Sequence, residues 1–458
     1  MKVNDKSQWA LENAPVYSRC RATVAGGDAV KALGAEHLPP LSGADFDANA
    51  AYLQRALFFN ATQRTLDAFV GMALAKPAAK VIPAALEPIA EDMDGAGTTL
   101  ETFVRAAVSE VLTVGAGVAL IDYPERQANI VTAQQERIAN LRPFVAWYPA
   151  ETILDYRTDK VGFTFLRLLE EHIEEDGEWA VKAIPQVRVY DLVEGFVRIR
   201  VYRKMDTGAF EIVGGEVFPT GPSGAKLERI PARWFGPVED APGKPPMLDL
   251  IDVNLAHYRN SADMEHALHF TGLPTPYAAG VDASDFPKGL VLGSTSAYAF
   301  SDAQAKIAFA TYGAEGLGAL EKAMDRKVEY MAALGARMLA PDTESPESGK
   351  ARAIRATGEN SALAKLADSV SGSVVWVLQT MAEWAGIAGD IAYSLDTDYL
   401  PERIGAQELV ALVTSWQAGA ISSPELFESL QAGGVIRDDK DYEEHEEEVL
   451  GSDGLEAV

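Results

Sequence analysis

The stretch HYRNSADMEHALHF, residues 257–270, holds three of the chain's six histidines. On a helix His266 and His269 share one face, and Asp263 stands three residues before His266. Two imidazoles and a carboxylate are donor types that suit zinc or manganese. A metal held there would activate water, the chemistry of a metal-dependent hydrolase in the cytosol. The spacing argues against it. Metalloprotease helices place their histidines at i and i+4 around a catalytic glutamate, and this order differs. A ligand set also recruits a donor from elsewhere in the chain, and His37, His172 and His445 are predicted to lie in exposed loops. His257, His266 and His269 are therefore read as core or interface histidines. No catalytic residue, metal ligand or cofactor is assigned.

The other chemistry-bearing motifs are thin. Cys20, in YSRCRAT, is the only cysteine. Its flanking arginines would lower a thiol pKa, but no partner histidine lies nearby in sequence, so no nucleophile is assigned. A single cysteine excludes an internal disulfide framework and a cysteine-based zinc site. The segment VGAGVALIDYP holds a Gly-x-Gly, yet a helix precedes it and a strand follows. That is the reverse of a dinucleotide fingerprint, so it is read as a helix-to-strand turn. No Gly-x-Ser-x-Gly elbow, phosphate-binding Gly-x-x-x-x-Gly-Lys-Ser/Thr loop or His-Glu-x-x-His is present.

Across 458 residues the formal net charge is -27 and hydrophobic residues make up 48%. A sizeable core is expected. A basic, phosphate-gripping nucleic-acid binder is not, because such proteins work by neutralising phosphates. MKVNDKSQWA lacks the apolar region of a secretory signal, and no 18-residue apolar window predicts a membrane span. Synthesis in a reducing cytosol is expected.

The elements that must position these residues follow from periodicity. Residues 1–45 are expected to form a loosely organised arm. ANAAYLQRALFFNATQRTLDAFVGMALAKP predicts one strong helix closed by Pro77. A helix capped by Thr99 is predicted to reach Thr113. Residues 140–235 are predicted to be β-rich, with QVRVYDL and FVRIRVYRK as paired strands. Arg188, Arg198, Arg200 and Arg203 would give that sheet a solvated face, and EEHIEEDGE, 170–178, its hairpin tip. A long helix of about 25 residues is predicted between Pro246 and Pro274. Its two apolar stripes, one through Ile251, Leu255 and Tyr258 and one through Leu250, Val253 and His257, imply a neighbour on each side. A small α/β module, 273–317, leads to a second long helix carrying Leu320, Met324, Val328 and Met331. APDTESPESGK, 340–350, is a polar loop. A third long helix is predicted from about Ala351 to Ile387, with Gly358 and Gly372 as sites of bending. Two or three short helices and an acidic tail end the chain.

The order of these parts resembles the subunit plan of tailed-bacteriophage portal proteins, the head-to-tail connectors. YLQRALFFNATQRTLDAFVGMALAKP, LIDVNLAHYRNSADMEHALHFTGLPTP, ATGENSALAKLADSVSGSV and LPERIGAQELVALVTSWQAGAIS are similar to segments of a poorly annotated branch of that family. The resemblance covers roughly residues 45–435. It implies an α+β, mainly helical subunit that assembles into a ring. Residues 46–245 would form a wing, 246–272 a first stem helix and 273–317 a clip. Residues 318–339 would form a second stem helix, 340–350 a tunnel loop, 351–388 a spine helix and 389–458 a crown and tail. The implied function is a DNA channel at one capsid vertex for packaging, retention and ejection of the genome, without enzymatic activity. Another head–tail structural protein of the virion is the alternative within that class. The implied partners are eleven further copies, the terminase, capsid and scaffold proteins, the head–tail adaptor and double-stranded DNA passing without sequence specificity. The channel loop would present Asp342, Thr343, Glu344, Ser345, Glu347, Ser348, Lys350 and Arg352. The clip would present Asp282, Asp285 and Lys288 to the terminase and adaptor. His257, Tyr258, His266 and His269 would lie at subunit interfaces.

Overall fold

The computed structural model describes residues 2–124, 141–177, 179–221, 224–272, 275–282, 299–300, 302, 304–310, 316–338, 361–397, 399, 406–417, 420–432, 436 and 440–442. The fold is α+β and mainly helical, with antiparallel sheets. Its helices are α1 Gln8–Ala25, α2 Gly27–Ala32, α3 Phe46–Arg55, α4 Ala61–Ala73, α5 Glu87–Ala90, α6 Leu100–Val114, α7 Leu248–Gly272, α8 Leu317–Arg337, α9 Ala362–Ala385, α10 Ala406–Gln417 and α11 Ser423–Ala432. Its strands are β1 Ala79–Val81, β2 Gly117–Asp122, β3 Phe144–Pro149, β4 Ile153–Thr158, β5 Phe163–Glu175, β6 Val181–Val193, β7 Phe196–Lys204, β8 Phe210–Val217, β9 Ala232–Phe235, β10 Thr275–Ala279, β11 Lys306–Ala310 and β12 Ala392–Ser394.

The turn after α6 shows why VGAGVALIDYP has its glycines. Gly115 caps α6 in the left-handed region at φ 73°. A Cβ at Gly117 would lie 2.3 Å from the Trp147 ring. The chain then enters β2, the centre of a sheet ordered β3-β2-β9. Helices α6 and α9 pack on this sheet, and Phe103, Trp147 and Phe235 meet edge to face at 5.2–5.9 Å between centroids. α9 is largely enclosed. Leu363, Leu366, Val370, Val374, Val377 and Met381 are buried, each worth roughly 1.5–3 kcal/mol against exposure. Two of its buried serines donate outward: Ser369 Oγ to Gly236 O at 2.9 Å and Ser373 Oγ to Trp234 O at 3.1 Å. Ser361 caps it and Gly386 ends it in the left-handed region, and the helix runs unbroken through Gly372.

The β-rich region is a five-stranded meander, β4-β5-β6-β7-β8. Strands β6 and β7 turn at Glu194 and Gly195, both with positive φ, as a two-residue primed hairpin requires. The arginines of this sheet are not the solvated face that alternation predicts. Arg198 and Arg200 both pair with Asp191, at 2.6 and 2.7 Å, and Arg203 reaches Glu174. Arg188 bridges Asp122 of β2 at 3.0 Å and Glu170 of β5 at 2.8 Å. Glu170 also accepts from Tyr148 of β3 and from Gln186 at 2.7 Å. Glu170 therefore joins the two sheets rather than a hairpin tip, which begins only at Asp176, whose N–H donates to Ala180 O at 2.8 Å. Burial raises the Asp122 pKa, and Arg188 opposes the rise.

Two further expectations need correction. Residues 1–45 are not a loose arm. Ser7 caps α1, and Tyr17, Cys20 and Val30 enter the main core. Trp9 packs 5.8 Å from Trp234, in an aromatic cluster with Tyr156 and Phe163. Pro15 lies inside α1 and hides the helix from a sequence reading. The single helix expected after residue 46 is two helices, α3 and α4, parted at Ala56–Asn60.

Candidate functional site

The break between α3 and α4 is made by α7, the helix that carries the histidines. Ser261 Oγ accepts from Leu57 N at 3.2 Å. Asn254 Nδ2 donates to Phe59 O at 2.8 Å, and its Oδ1 accepts from Thr62 N at 3.2 Å and Thr62 Oγ1 at 2.9 Å. Asn60 then caps α4 through Gln63 N. Neither Asn254 nor Ser261 is a residue the motif search singles out. The signal that marks them is a polar side chain inside an apolar helical stripe, beside Ile251, Leu255 and Tyr258.

The donor set Asp263, His266 and His269 does not converge. Asp263 Oδ1 accepts from the Tyr52 hydroxyl at 2.6 Å. The guanidinium of Arg55, which can only donate, lies 3.1 Å from His269 Nε2. A cation beside a ligand nitrogen disfavours a divalent metal. The His266 ring packs edge-on against Tyr52 at 5.3 Å and Phe270 at 4.7 Å. Burial lowers its pKa, and Arg55 and His269 add to the effect. Among the described residues no group of three or more His, Cys, Asp or Glu side chains is placed to hold a metal.

His257 and Tyr258 are buried within the subunit. Burial lowers the His257 pKa, and Lys327 of α8 lowers it further. Both apolar stripes of α7 are covered over Leu248–Ala262 by this same chain, through α1, α3, α4 and α8. The two-sided covering expected from a neighbouring subunit is supplied there from within. Beyond that point the helix opens, and Leu268 and Phe270 are exposed. His37 is buried rather than in an exposed loop, with its pKa lowered by burial. His172 lies in β5, and His445 falls outside the described residues. Burial pushes the Cys20 thiol up to about 12, against the opposing pull of Arg19. Arg21, the other flanking arginine, is engaged by Glu110 and Glu151.

From α7 the chain passes through the antiparallel pair β10–β11 and returns along α8, which packs on α7. Asp282 is exposed just beyond β10. Asp285, Lys288 and all the loop residues from Asp342 to Arg352 lie outside the described residues. Among the described side chains of α8, Met331 alone is buried. Val328 and Tyr330 are exposed on it, as are Tyr277 and Phe309 on the β10–β11 pair.

A family described as a domain of unknown function (DUF4055) matches residues 246–385, from the start of α7 to the end of α9. No curated protein matches the chain. Among solved structures, a chain from one titled "Virion of native gene transfer agent (GTA) particle" is 15% identical, with a TM-score of 0.39 over 84% of this chain and 93% of that one. A chain from "Neck of empty GTA particle computed with C6 symmetry" is 16% identical, with a TM-score of 0.40 over 86% of this chain and 95% of that one.

Proposed function

We propose that this chain is a non-enzymatic phage portal subunit. Twelve copies close a ring at one capsid vertex of the virion, and double-stranded DNA enters and leaves through its channel. In this reading α7 and α8 are the stem helices and β10–β11 belongs to the clip, with Asp282, Asp285 and Lys288 turned to the terminase and then the adaptor. Residues 340–350, with Lys350 and Arg352 at their end, line the channel. α9 is the spine, and the wing and crown face the capsid interior with its capsid and scaffold proteins.

One observation carries the reading. α8 is a helix of 21 residues that buries only Met331 among its described side chains, while α9 in the same chain buries most of its length. Helices hold their place by burying an apolar face. The exposed Val328 and Tyr330 of α8 and Leu268 and Phe270 of α7 are surface for a neighbour. A closed ring supplies one on both sides of every copy. The charge suits the task as well. At -27 per chain, an acidic channel does not bind the phosphates it must let slide.

Mass photometry of the purified chain tests the proposal. A closed ring of twelve 49.2 kDa chains gives a species of about 590 kDa, and negative-stain images show a central hole. A protein that stays at one or two chains through all salt conditions defeats it.

A further inference from the structure

A second surface left open lies on the five-stranded meander. Strand β7 pairs with β6 only as far as Gln186, so the outer part of the β5–β6 hairpin is a two-stranded ribbon without a third strand. Isolated ribbons of this kind are marginal in water. This one nevertheless carries apolar side chains to its tip. Ile173 and Val181 are exposed on one face, and Trp179 is 90% exposed, the most of any large apolar side chain among the described residues. Glu175 shares the face of Ile173 and Val181, Glu174 lies on the other face beside Arg203, and Asp176 follows at the turn.

Between α4 and α8 runs a groove of ≈ 350 Å³. It is lined by the buried Phe69 and Met331 and by the small residues Ala68, Ala332, Gly335 and Ala336. The exposed Phe59 and Val328 line it too. Among the described residues Arg64 is the one charged side chain lining it, its guanidinium held 5.6 Å over the Phe59 ring. The groove is thus an apolar slot with a cation at its edge, in a chain of net charge -27. The ribbon tip carries an exposed aromatic side chain with the exposed carboxylates of Glu175 and Asp176 near it in sequence. The two complement each other in shape class and in charge. They lie on different elements of the same chain, so a head-to-tail contact between them propagates and closes as a ring, whereas a reciprocal exchange stops at two copies. Cross-linking separates these two arrangements.

We propose that the outer end of the β5–β6 hairpin, led by Trp179, seats in the α4–α8 groove of the next copy. Buried Trp side chains in tight pockets are the residues that most often dominate an interface. The inference rests on the ring reading for its geometry but names a contact that the ring alone does not require.

Cross-linking tests it. Val181→Cys and Ala332→Cys change exposed positions, and the native Cys20 is buried, so a short bismaleimide reads only the new pair. The double variant is expected to give a covalent ladder extending beyond two chains. A mixture of the two single variants is expected to stop at linked pairs. Trp179→Ala, added to the double variant, should cut the linked yield at least tenfold without moving the melting temperature. Rings seen by mass photometry with no linked product assign the groove to another occupant and overturn the inference, leaving the ring intact. A linked yield unchanged by Trp179→Ala overturns it too. Linked chains without rings keep the contact and defeat the ring; neither rings nor links defeats both.

Discussion

Asn254 is worth more to this molecule than the histidines that first draw the eye. Its side chain serves the amide and hydroxyl of Thr62 and the carbonyl of Phe59, all across a sequence gap of nearly two hundred residues. Asn254→Ala leaves these groups without partners in a buried place, at roughly 1–3 kcal/mol for each unsatisfied group. We expect urea denaturation to show a loss of roughly 3 kcal/mol with an unchanged m-value. A loss under about 1 kcal/mol would mean that water reaches the break between α3 and α4. Asp263→Asn is the instructive contrast. The amide oxygen still accepts from Tyr52, and Asp263 is exposed, so the variant should melt within a degree or two of the parent. The histidine face was legible as a helix face but not as chemistry. What decides its role is Arg55 and Tyr52, which sit on another helix and carry no motif.

At the scale of elements, periodicity found what local rules control. The cap Thr99, the turn between β6 and β7 at Glu194–Gly195, and the span of α7 between its prolines all follow from neighbours in sequence. Elements set by distant contacts were hidden. α1 carries Pro15 and no clear stripe, so only its packing on Trp234 reveals it. The arginines of the meander alternate like surface residues, yet Asp122, Asp191 and Glu170 meet them from other strands or other sheets. β12 is a third such case. Only three residues long, it pairs with β1 and brings Tyr393 and Leu395 into the core, where Leu395 N donates to Ser371 Oγ at 3.0 Å. A chain cut after Thr397 keeps this clamp, whereas one cut after Gly389 loses it. The second truncation should be less stable than the first by about 4 kcal/mol, from two buried side chains and a lost hydrogen bond to a buried hydroxyl. Equal stability in guanidinium would show that β12 only decorates the core.

At the scale of the whole molecule, charge and apolar exposure pull against each other. Each copy brings a formal charge of -27 toward its neighbours, while α7, α8 and the β5–β6 ribbon offer exposed apolar side chains for contact. The repulsion is long-ranged and the contacts are short. Screening length falls from about 30 Å at 0.01 M salt to about 8 Å at 0.15 M. Raising sodium chloride over that range should therefore remove most of the repulsion between copies while strengthening or sparing the apolar contacts. The local pairing of Arg64 with the acidic ribbon acts within one contact and weakens less than the summed field. Assembly followed by mass photometry should show the ring fraction rising steeply with salt and then levelling off near physiological strength. A ring fraction that falls as salt rises would mean that ion pairs between copies, rather than exposed apolar faces, close the ring. It would also move the search for the contact from α7 and α8 to the charged surfaces of the meander.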